Sequence, residues 1–400
     1  MRCWGRRWMA RERGPRVGIL GGGQLGWMMI LEGRRLGISF GVLDPDAGAP
    51  AARIADRAFR PGEGAELASW SDVVTYEFEN AEAEAAEIAE AAGKLRPGLR
   101  PLLAKRNRLL EKRLFVELGI PTADFRPAGS PREVEEFLSS AGSAVVKALG
   151  GGYDGKGVRF LRNPGDAASI PWGYPVLVEE MVDVREEISV IVARSGSGEE
   201  AIYPAAENHN AGGILLYSIA PARDAEAVEA ASRAAIRLAR SMDYVGVLAV
   251  EFLVSADGRV LANEFAPRVH NTGHWSLCGA ATSQFENHLR AILDMPLGST
   301  EILRPTGIVN ILGISRDELP MRDILSVPGA RLWWYGKAEA RPGRKMGHAC
   351  VVAGSDEELR RRLRELMAAI YGDFPPSAAA SVGAGALDSE ISHLSRSADA

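Results

Sequence analysis

Glu251 and Glu264 are the first pair in the chain whose types and spacing suggest chemistry. The stretch VGVLAVEFLVSADGRVLANEFAPR reads as a hairpin turning at Asp257–Gly258, a favoured two-residue turn. Positions whose numbers sum to 515 then pair, so Glu251 faces Glu264 with Cβ atoms about 4.5–5.5 Å apart. Val250, Phe252, Val254, Leu261 and Phe265 make the opposite, apolar face. Opposed carboxylates repel unless a cation lies between them. Magnesium, a hard ion shared between carboxylates and nucleotide phosphates, suits such a pair. The alternative is two solvated edge glutamates, which a one-residue slip of register would produce.

A phosphate partner is suggested by GGGYDGKG, residues 150–157. It spells G-x-x-x-x-G-K up to Lys156, but Gly157 stands where a P-loop needs Ser or Thr, and no helix follows. SAVVKAL before it and GVRFLRN after it are strand-like. A glycine-rich strand–loop–strand can lie over phosphates as a flap, with Lys147 aimed at the same group. Its glycines are expected to order only on nucleotide. The alternative is a bare hairpin tip, for which five glycines are more than a turn requires.

Three further clusters have a chemical and a bland reading each. Gly21, Gly23 and Gly26, with Asp44 ending the next strand, spell a dinucleotide fingerprint. A tight turn whose helix start takes a substrate anion would look the same. In APRVHNTGHW, Arg268, His270, Asn271 and His274 form either an anion clamp or a structural turn. In YGKAEARPGRKMGH, Lys337, Arg341, Arg344, Lys345 and His348 form either a phosphate site or a solvated basic hairpin.

These residues need elements to carry them. Four hundred residues imply two or three domains. Residues 15–120 alternate strands and helices, as an α/β unit with a parallel sheet does. Residues 121–193 read as a compact α+β lid, and residues 194–374 as a larger α+β domain ending in a β-rich module. The basic start, 1–14, and the Ala/Ser/Gly-rich end, 375–400, are expected to be disordered. The composition, 46% apolar and 25% charged, is that of a globular protein, and a net charge of −5 gives no electrostatic case for nucleic acid. Cys3, Cys278 and Cys350 lie far apart, which argues against a disulfide framework or a zinc site. No apolar run reaches membrane-spanning length and the start lacks a secretory h-region, so a cytoplasmic protein is expected. Of 47 basic residues only seven are lysine: Lys94, Lys105, Lys112, Lys147, Lys156, Lys337 and Lys345. A lysine kept in so arginine-rich a chain marks a place for a compact point charge.

Taken together, GGGYDGKG and NEFAPRVHNTGHW, with GILGGGQLGWMM ahead and RPGRKMGH behind, closely resemble the 5-(carboxyamino)imidazole ribonucleotide synthase family of the ATP-grasp superfamily. The resemblance runs in order from about residue 16 to 373. It implies a Rossmann-like α/β domain, a central α+β lid and a C-terminal α+β domain, with ATP between the last two. It also implies a homodimer and a purine-pathway reaction. ATP, bicarbonate and 5-aminoimidazole ribonucleotide would give the N-carboxylated product, ADP and phosphate through carboxyphosphate.

Site residues follow by resemblance alone. Arg108 and Lys147 match phosphate contacts, and Gly152, Tyr153, Asp154, Gly155, Lys156 and Gly157 match the flap. Glu179, Glu180, Met181 and Val182 match the adenine strand, Glu187 the ribose ligand, and Asn263 a further nucleotide contact. Glu251 and Glu264 match the magnesium ligands. Tyr153 and Asp154 match the pair beside the substrate amine. Arg268 and His270 match the groups that hold bicarbonate or carboxyphosphate. Gln24, Leu25, Glu77 and Asn271 match the ribonucleotide site, and Lys337, Arg344 and Lys345 its phosphate.

The chain departs from the pattern twice. The family's E-N-x-H ahead of GIL is here ENHNAGGIL, so either His209 or Asn210 replaces the nucleotide-site histidine. Trp27 stands where a smaller or basic residue is expected. The rival readings are another ATP-grasp ligase, a nicotinamide dehydrogenase built on Gly21 to Asp44, and a nucleotide-binding subunit without turnover.

Overall fold

The structure, a computed structural model, describes residues 13–151 and 157–372. The expectations of disorder at the two ends, and the site residues Gly152, Tyr153, Asp154, Gly155 and Lys156, lie outside the described residues.

The first sheet is parallel, with strands β1 (Arg16–Leu20), β2 (Ser39–Leu43), β3 (Arg57–Phe59) and β4 (Val73–Tyr76) in the order β3-β2-β1-β4. β1, β2 and β4 are buried almost throughout because both faces of the sheet are covered, while β3 lies at its edge. Val17 and Ile19 pack with Met28 and Met29 of the helix Gln24–Arg34, whereas Leu20 and Leu43 pack with Leu67 of the helix Gly64–Trp70. The second sheet is antiparallel, with β5 (Phe125–Ala128), β6 (Ala144–Ala148), β7 (Val158–Leu161) and β8 (Val176–Glu180) in the order β5-β8-β6-β7. The helix Pro131–Ala141, capped by Ser130, buries Val134 and Leu138 against Val146 and Val178. Lys147 pairs with Val158, so the glycine loop joins two antiparallel neighbours, as its flanks indicated.

The third sheet contains β9 (Val184–Arg194), β10 (Glu200–Ile202), β11 (Ala206–Ala211), β12 (Ile214–Ala220), β13 (Gly246–Ser255), β14 (Val260–Ala266), β15 (Thr306–Leu312), β16 (Ala330–Trp334) and β17 (Lys345–Val352). They run β14-β13-β9-β11-β12-β15-β17-β16, with β10 on β9, so the C-terminal module continues the same sheet. β9 differs from the expectation that grouped it with the lid. It pairs with β13 from Gly246↔Arg194 to Ser255↔Val184. Its residues explain this, since Ile188, Val190 and Val192 join the core under the helix Ala225–Ser241, while Ile191 and Ala193 face the core shared with the first domain. A strand apolar on both faces needs the middle of a covered sheet.

The cysteine expectation is also corrected: Cys278 and Cys350 form a disulfide between the short helix Ser276–Gly279 and β17. Seventy-two positions separate them in sequence, and tertiary adjacency is what spacing does not reveal. Among the described residues no helix is long and apolar enough to cross a membrane.

Candidate active site

The expected carboxylate pair forms in the register expected for it, although the pairs nearer the turn are shifted by one residue. Near the turn, Val254 pairs with Val260, Leu253 with Leu261 and Phe252 with Ala262. An irregularity between Glu251 and Phe252 then leaves Asn263 without a direct partner and brings Glu251 opposite Glu264. A bulge re-aims side chains next to sites. Here it puts Asn263 within reach of Lys147, whose Nζ donates to Asn263 Oδ1 at 3.1 Å. It also moves Leu261 off the expected core face: Val250, Phe252, Val254 and Phe265 share their cluster with Ala262 instead.

The two carboxylates differ. Burial pushes Glu251 up to about 8, with the charges of Glu264 and Glu187 adding to the effect. For Glu264 the cost of burial is outweighed by Lys105, whose Nζ lies 2.6 Å from Oε2, so this group sits below the ordinary carboxylate range. Lys147 and Arg108 lower it further. Among the described residues no cluster of three His, Cys, Asp or Glu could hold a metal alone. Two opposed carboxylates with cations around them still fit magnesium, which takes one or two carboxylates and fills its shell with phosphate oxygens and water.

Lys147 and Lys112 share Glu179 Oε2, at 2.9 and 3.3 Å. The Glu179 carboxylate is buried, and the two ammonium groups hold it ionised despite that burial. Its side chain therefore orients a lysine, a role the sequence reading did not give it. Glu180 pairs with Arg259 at 3.2 Å, and Met181 and Val182 lie in the link between β8 and β9. Glu187 accepts from Asn210 Nδ2 at 2.6 Å, whereas the His209 ring stacks on Tyr217 at 4.1 Å. A register shift between His209 and Asn210 turns the asparagine toward Glu187. Arg108 Nη1 donates to the carbonyls of Ala148, at 2.7 Å, and Gly157, at 3.4 Å, at the two feet of the glycine loop.

The loop after β14 carries the residues expected to clamp an anion, Arg268, His270 and Asn271. Arg268 pairs with Glu79 at 2.8 Å, with both side chains mostly buried. The backbone of His270 is fixed by Gln284, which accepts from its N–H at 2.9 Å and donates to its carbonyl at 2.6 Å. Its Nδ1 lies 3.0 Å from Thr272 Oγ1 and its Nε2 3.4 Å from Glu251. Burial, with Arg268 and Lys345 nearby, lowers His270 to about 3, so the ring is neutral. Asn271 is buried, and neither its amide oxygen nor its nitrogen has a hydrogen-bond partner among the described residues. A buried amide so placed needs a partner, which water or a bound ligand would supply.

The first glycine cluster proves to be a closed turn. Glu77 accepts from the backbone N–H groups of Gly23 at 2.8 Å and of Leu25 and Gly26 at 3.1 Å each. Asp44 accepts from Gly22 at 2.6 Å. The seat of a dinucleotide pyrophosphate is thus filled by the protein's own carboxylate, and the acid meant for a ribose is engaged, so the dehydrogenase reading falls. A Cβ on Gly23 would stand 2.6 Å from Glu77 Oε1, which is why glycine is required there. Gln24 opens the helix at this turn, partly exposed. Lys337 is near enough to act on Glu77, and its Nζ donates to the Lys345 carbonyl at 2.6 Å. Lys345 acts in turn on Glu251 and His270. Arg344 is turned to the Glu339 carbonyl at 2.9 Å. Trp27 packs edge-on against Tyr335 at 6.2 Å, which accounts for a large ring at that position.

Comparison with known proteins agrees with this arrangement. Residues 15–103 match the ribonucleotide synthetase preATP-grasp domain, 113–285 the ATP-grasp domain, and 306–362 the phosphoribosylaminoimidazole carboxylase C-terminal domain. The N5-carboxyaminoimidazole ribonucleotide synthase of Aquifex aeolicus is 45% identical over 360 residues, 89% of this chain and 97% of that one. The chain belongs to the N5-carboxyaminoimidazole ribonucleotide synthase family. The member from Saccharolobus solfataricus is 44% identical over 361 residues, 89% of this chain and 96% of that one. A solved structure of the Aspergillus clavatus member, in complex with ADP and 5-aminoimidazole ribonucleotide, matches with a TM-score of 0.82 at 30% identity, covering 89% of this chain and 98% of that one. Membership places the chain among the ATP-dependent carbon–nitrogen ligases.

Sequence reasoning missed Glu79, Lys112 and Lys105. Glu79 had a signal in its place two residues after Glu77, just past the end of β4. Lys105 and Lys112 had theirs in the scarcity of lysine.

Proposed function

We propose that the protein carboxylates 5-aminoimidazole ribonucleotide with bicarbonate, consuming ATP and releasing ADP and phosphate, as a cytoplasmic homodimer in purine synthesis. The observation that carries this reading is the convergence, at the bulged end of the β13–β14 hairpin, of Glu251 and Glu264 with Arg268, His270 and the unpartnered amide of Asn271. A general ATP-grasp ligase needs the carboxylates. The adjacent guanidinium and neutral imidazole suit a small anion.

In this reading ATP lies between the lid and the large sheet, with Lys147 and Arg108 on its phosphates and the link at Met181 and Val182 against the base. Glu187 takes the ribose, and Asn210 replaces the family's histidine by holding Glu187. Glu251 and Glu264 would hold magnesium, which when bound neutralises phosphate charge. Bicarbonate oxygen attacks the γ-phosphorus and the bond to the β-bridging oxygen breaks, giving carboxyphosphate and ADP. Arg268, fixed by Glu79, holds the anion, and His270 donates to it or accepts from it as a neutral ring. The substrate amine then attacks the carboxyl carbon as phosphate leaves, and Asp154 takes the amine proton. Gln24, the turn closed by Glu77, and Asn271 receive the ribonucleotide, and Lys337 and Lys345 its phosphate. Tyr153 is assigned to the amine by resemblance alone.

The test is ADP release with ATP and magnesium, with bicarbonate and 5-aminoimidazole ribonucleotide omitted in turn. Turnover that requires both supports the reading. Turnover indifferent to the ribonucleotide removes the substrate and the roles of Gln24, Asn271 and Lys345 with it.

A further inference from the structure

Lys105 ends the helix Leu99–Lys105, and its two neighbouring cations are committed elsewhere. Arg106 donates to the carbonyls of Glu79 and Ala81, at 2.6 and 2.8 Å, and Arg108 to those of Ala148 and Gly157. Lys105 reaches the carboxylates. Its Nζ donates to Glu264 Oε2 at 2.6 Å and to Glu111 Oε1 at 3.2 Å. Glu111 is 2% exposed and accepts from the backbone N–H of Phe265 at 2.7 Å, so it is anchored to the strand that carries Glu264. Glu264 is 43% exposed and open to a ligand.

We infer that Lys105 is a tethered counterion that occupies Glu264 in the nucleotide-free protein and withdraws to Glu111 when a divalent ion arrives. The inference rests on the assignment of Glu251 and Glu264 as magnesium ligands. An ammonium 2.6 Å from one of two opposed carboxylates relieves their repulsion while the site is empty. On withdrawal it keeps a carboxylate partner, so no buried charge is left unpaired. Its remaining charge opposes a bare divalent ion, whereas a nucleotide brings negative charge that outweighs it. The site therefore takes metal together with nucleotide rather than before it.

The experiment is direct binding of Mn2+ to purified full-length protein, read as loss of the free-ion EPR signal, with and without ADP. Lys105→Met keeps the apolar stem and removes the charge. Without nucleotide it is expected to bind Mn2+ about tenfold more tightly than the wild type, the factor a unit charge exerts on a divalent ion a few ångströms away even under water-like screening. With ADP the difference should shrink. Glu111→Gln removes the withdrawal partner while keeping an acceptor for Phe265, and it should weaken Mn2+ binding. Folding damage cannot mimic a gain in one variant and a loss in the other. Equal Mn2+ affinity in wild type and Lys105→Met overturns the inference and leaves the metal assignment standing. Absence of Mn2+ binding in every protein, even with ADP, overturns both.

Discussion

Lowering the pH from 7 to 5.5 is expected to remove about 3 kcal/mol from the stability of the metal-free protein. Three histidines outside the reacting groups set the effect. Burial lowers His288 and His348 to about 3, and burial beside His348 holds His274 well below the ordinary 6.5. His288 shows the cause. Its Nδ1 accepts the N–H of Val247 at 3.0 Å, so the proton is on Nε2, which donates to Thr75 Oγ1 at 2.8 Å. A second ring proton would point at that backbone N–H. His348 is stacked on Trp333 and lies 2.8 Å from the Tyr335 hydroxyl through Nδ1. In the unfolded chain these rings take up protons near 6.5, whereas in the folded protein His288 and His348 do not until about 3, and burial beside His348 keeps His274 neutral well below its ordinary value. Folded-state values depressed in this way leave stability intact above the unfolded value and erode it as the pH falls below. Each ring costs about 1.2 kcal/mol between pH 7 and 5.5. His270 and Glu251, 3.4 Å apart, act in opposite senses. His270, at about 3, adds to the loss; Glu251, at about 8, is protonated first in the folded state and offsets it. The two cancel to within about 1 kcal/mol. A loss of about 3 is a large part of a typical 5–15 kcal/mol. Urea unfolding at a series of pH values in chelator measures it, and the slope of free energy against pH counts the protons, about three at pH 5.5. His288→Gln should lower that count by one whatever it does to absolute stability. A change below about 1 kcal/mol, or a slope under one proton, would refute the burial argument.

Three other outcomes are expected. Glu79→Gln should loosen Arg268 and lower kcat/KM for bicarbonate by about a hundredfold while leaving the KM for ATP nearly unchanged; an equal effect on both substrates would contradict the positioning role. Asn210→Ala should raise the KM for ATP by about tenfold, the worth of one charge-assisted hydrogen bond, and Asn210→His should recover most of it; loss in His209→Ala instead would reverse the assignment. Opening the Cys278–Cys350 disulfide, which closes a loop of 72 positions, should cost about 4 kcal/mol. Thiol titration of the denatured protein should count one free thiol before reduction and three after, and three before reduction would remove the bond.

The sequence made some features legible because they are local. β1 and the helix after it and the strands flanking the glycine loop follow from periodicity and turn chemistry, whereas the opposed pair Glu251 and Glu264 forms because a bulge offsets the register set at the turn. The features it hid are set by contacts across the fold. Asp257–Gly258 announces a turn, but not the bulge at Asn263 that shifts the register and exchanges Leu261 for Ala262 in the core. Gly21, Gly23 and Gly26 announce a close approach to the backbone, but what approaches is Glu77, more than fifty residues later. Cys278 and Cys350 look unrelated until β17 passes the helix Ser276–Gly279. EEISVIVARS is plainly a strand. Its place in the large sheet instead of the lid depends on which cores exist to cover its two faces.

The four residues Lys105 to Arg108 show how charge and hinge are combined. Lys105 touches the large sheet through Glu264, Arg106 the first domain through the carbonyls of Glu79 and Ala81, and Arg108 the lid through those of Ala148 and Gly157. Asn107 between them caps the next helix by accepting from Leu109 and Leu110, so the segment is held in one shape. Three domains therefore meet on a rigid set of cations whose partners are mostly backbone carbonyls. A carbonyl holds a guanidinium less strongly than a phosphate does. On the proposed nucleotide site Arg108 would exchange these carbonyls for a phosphate, and on the inference above Lys105 would leave Glu264 for Glu111. A charged ligand at this junction would then act on the large sheet and the lid together, while Arg106 keeps the segment fixed to the first domain.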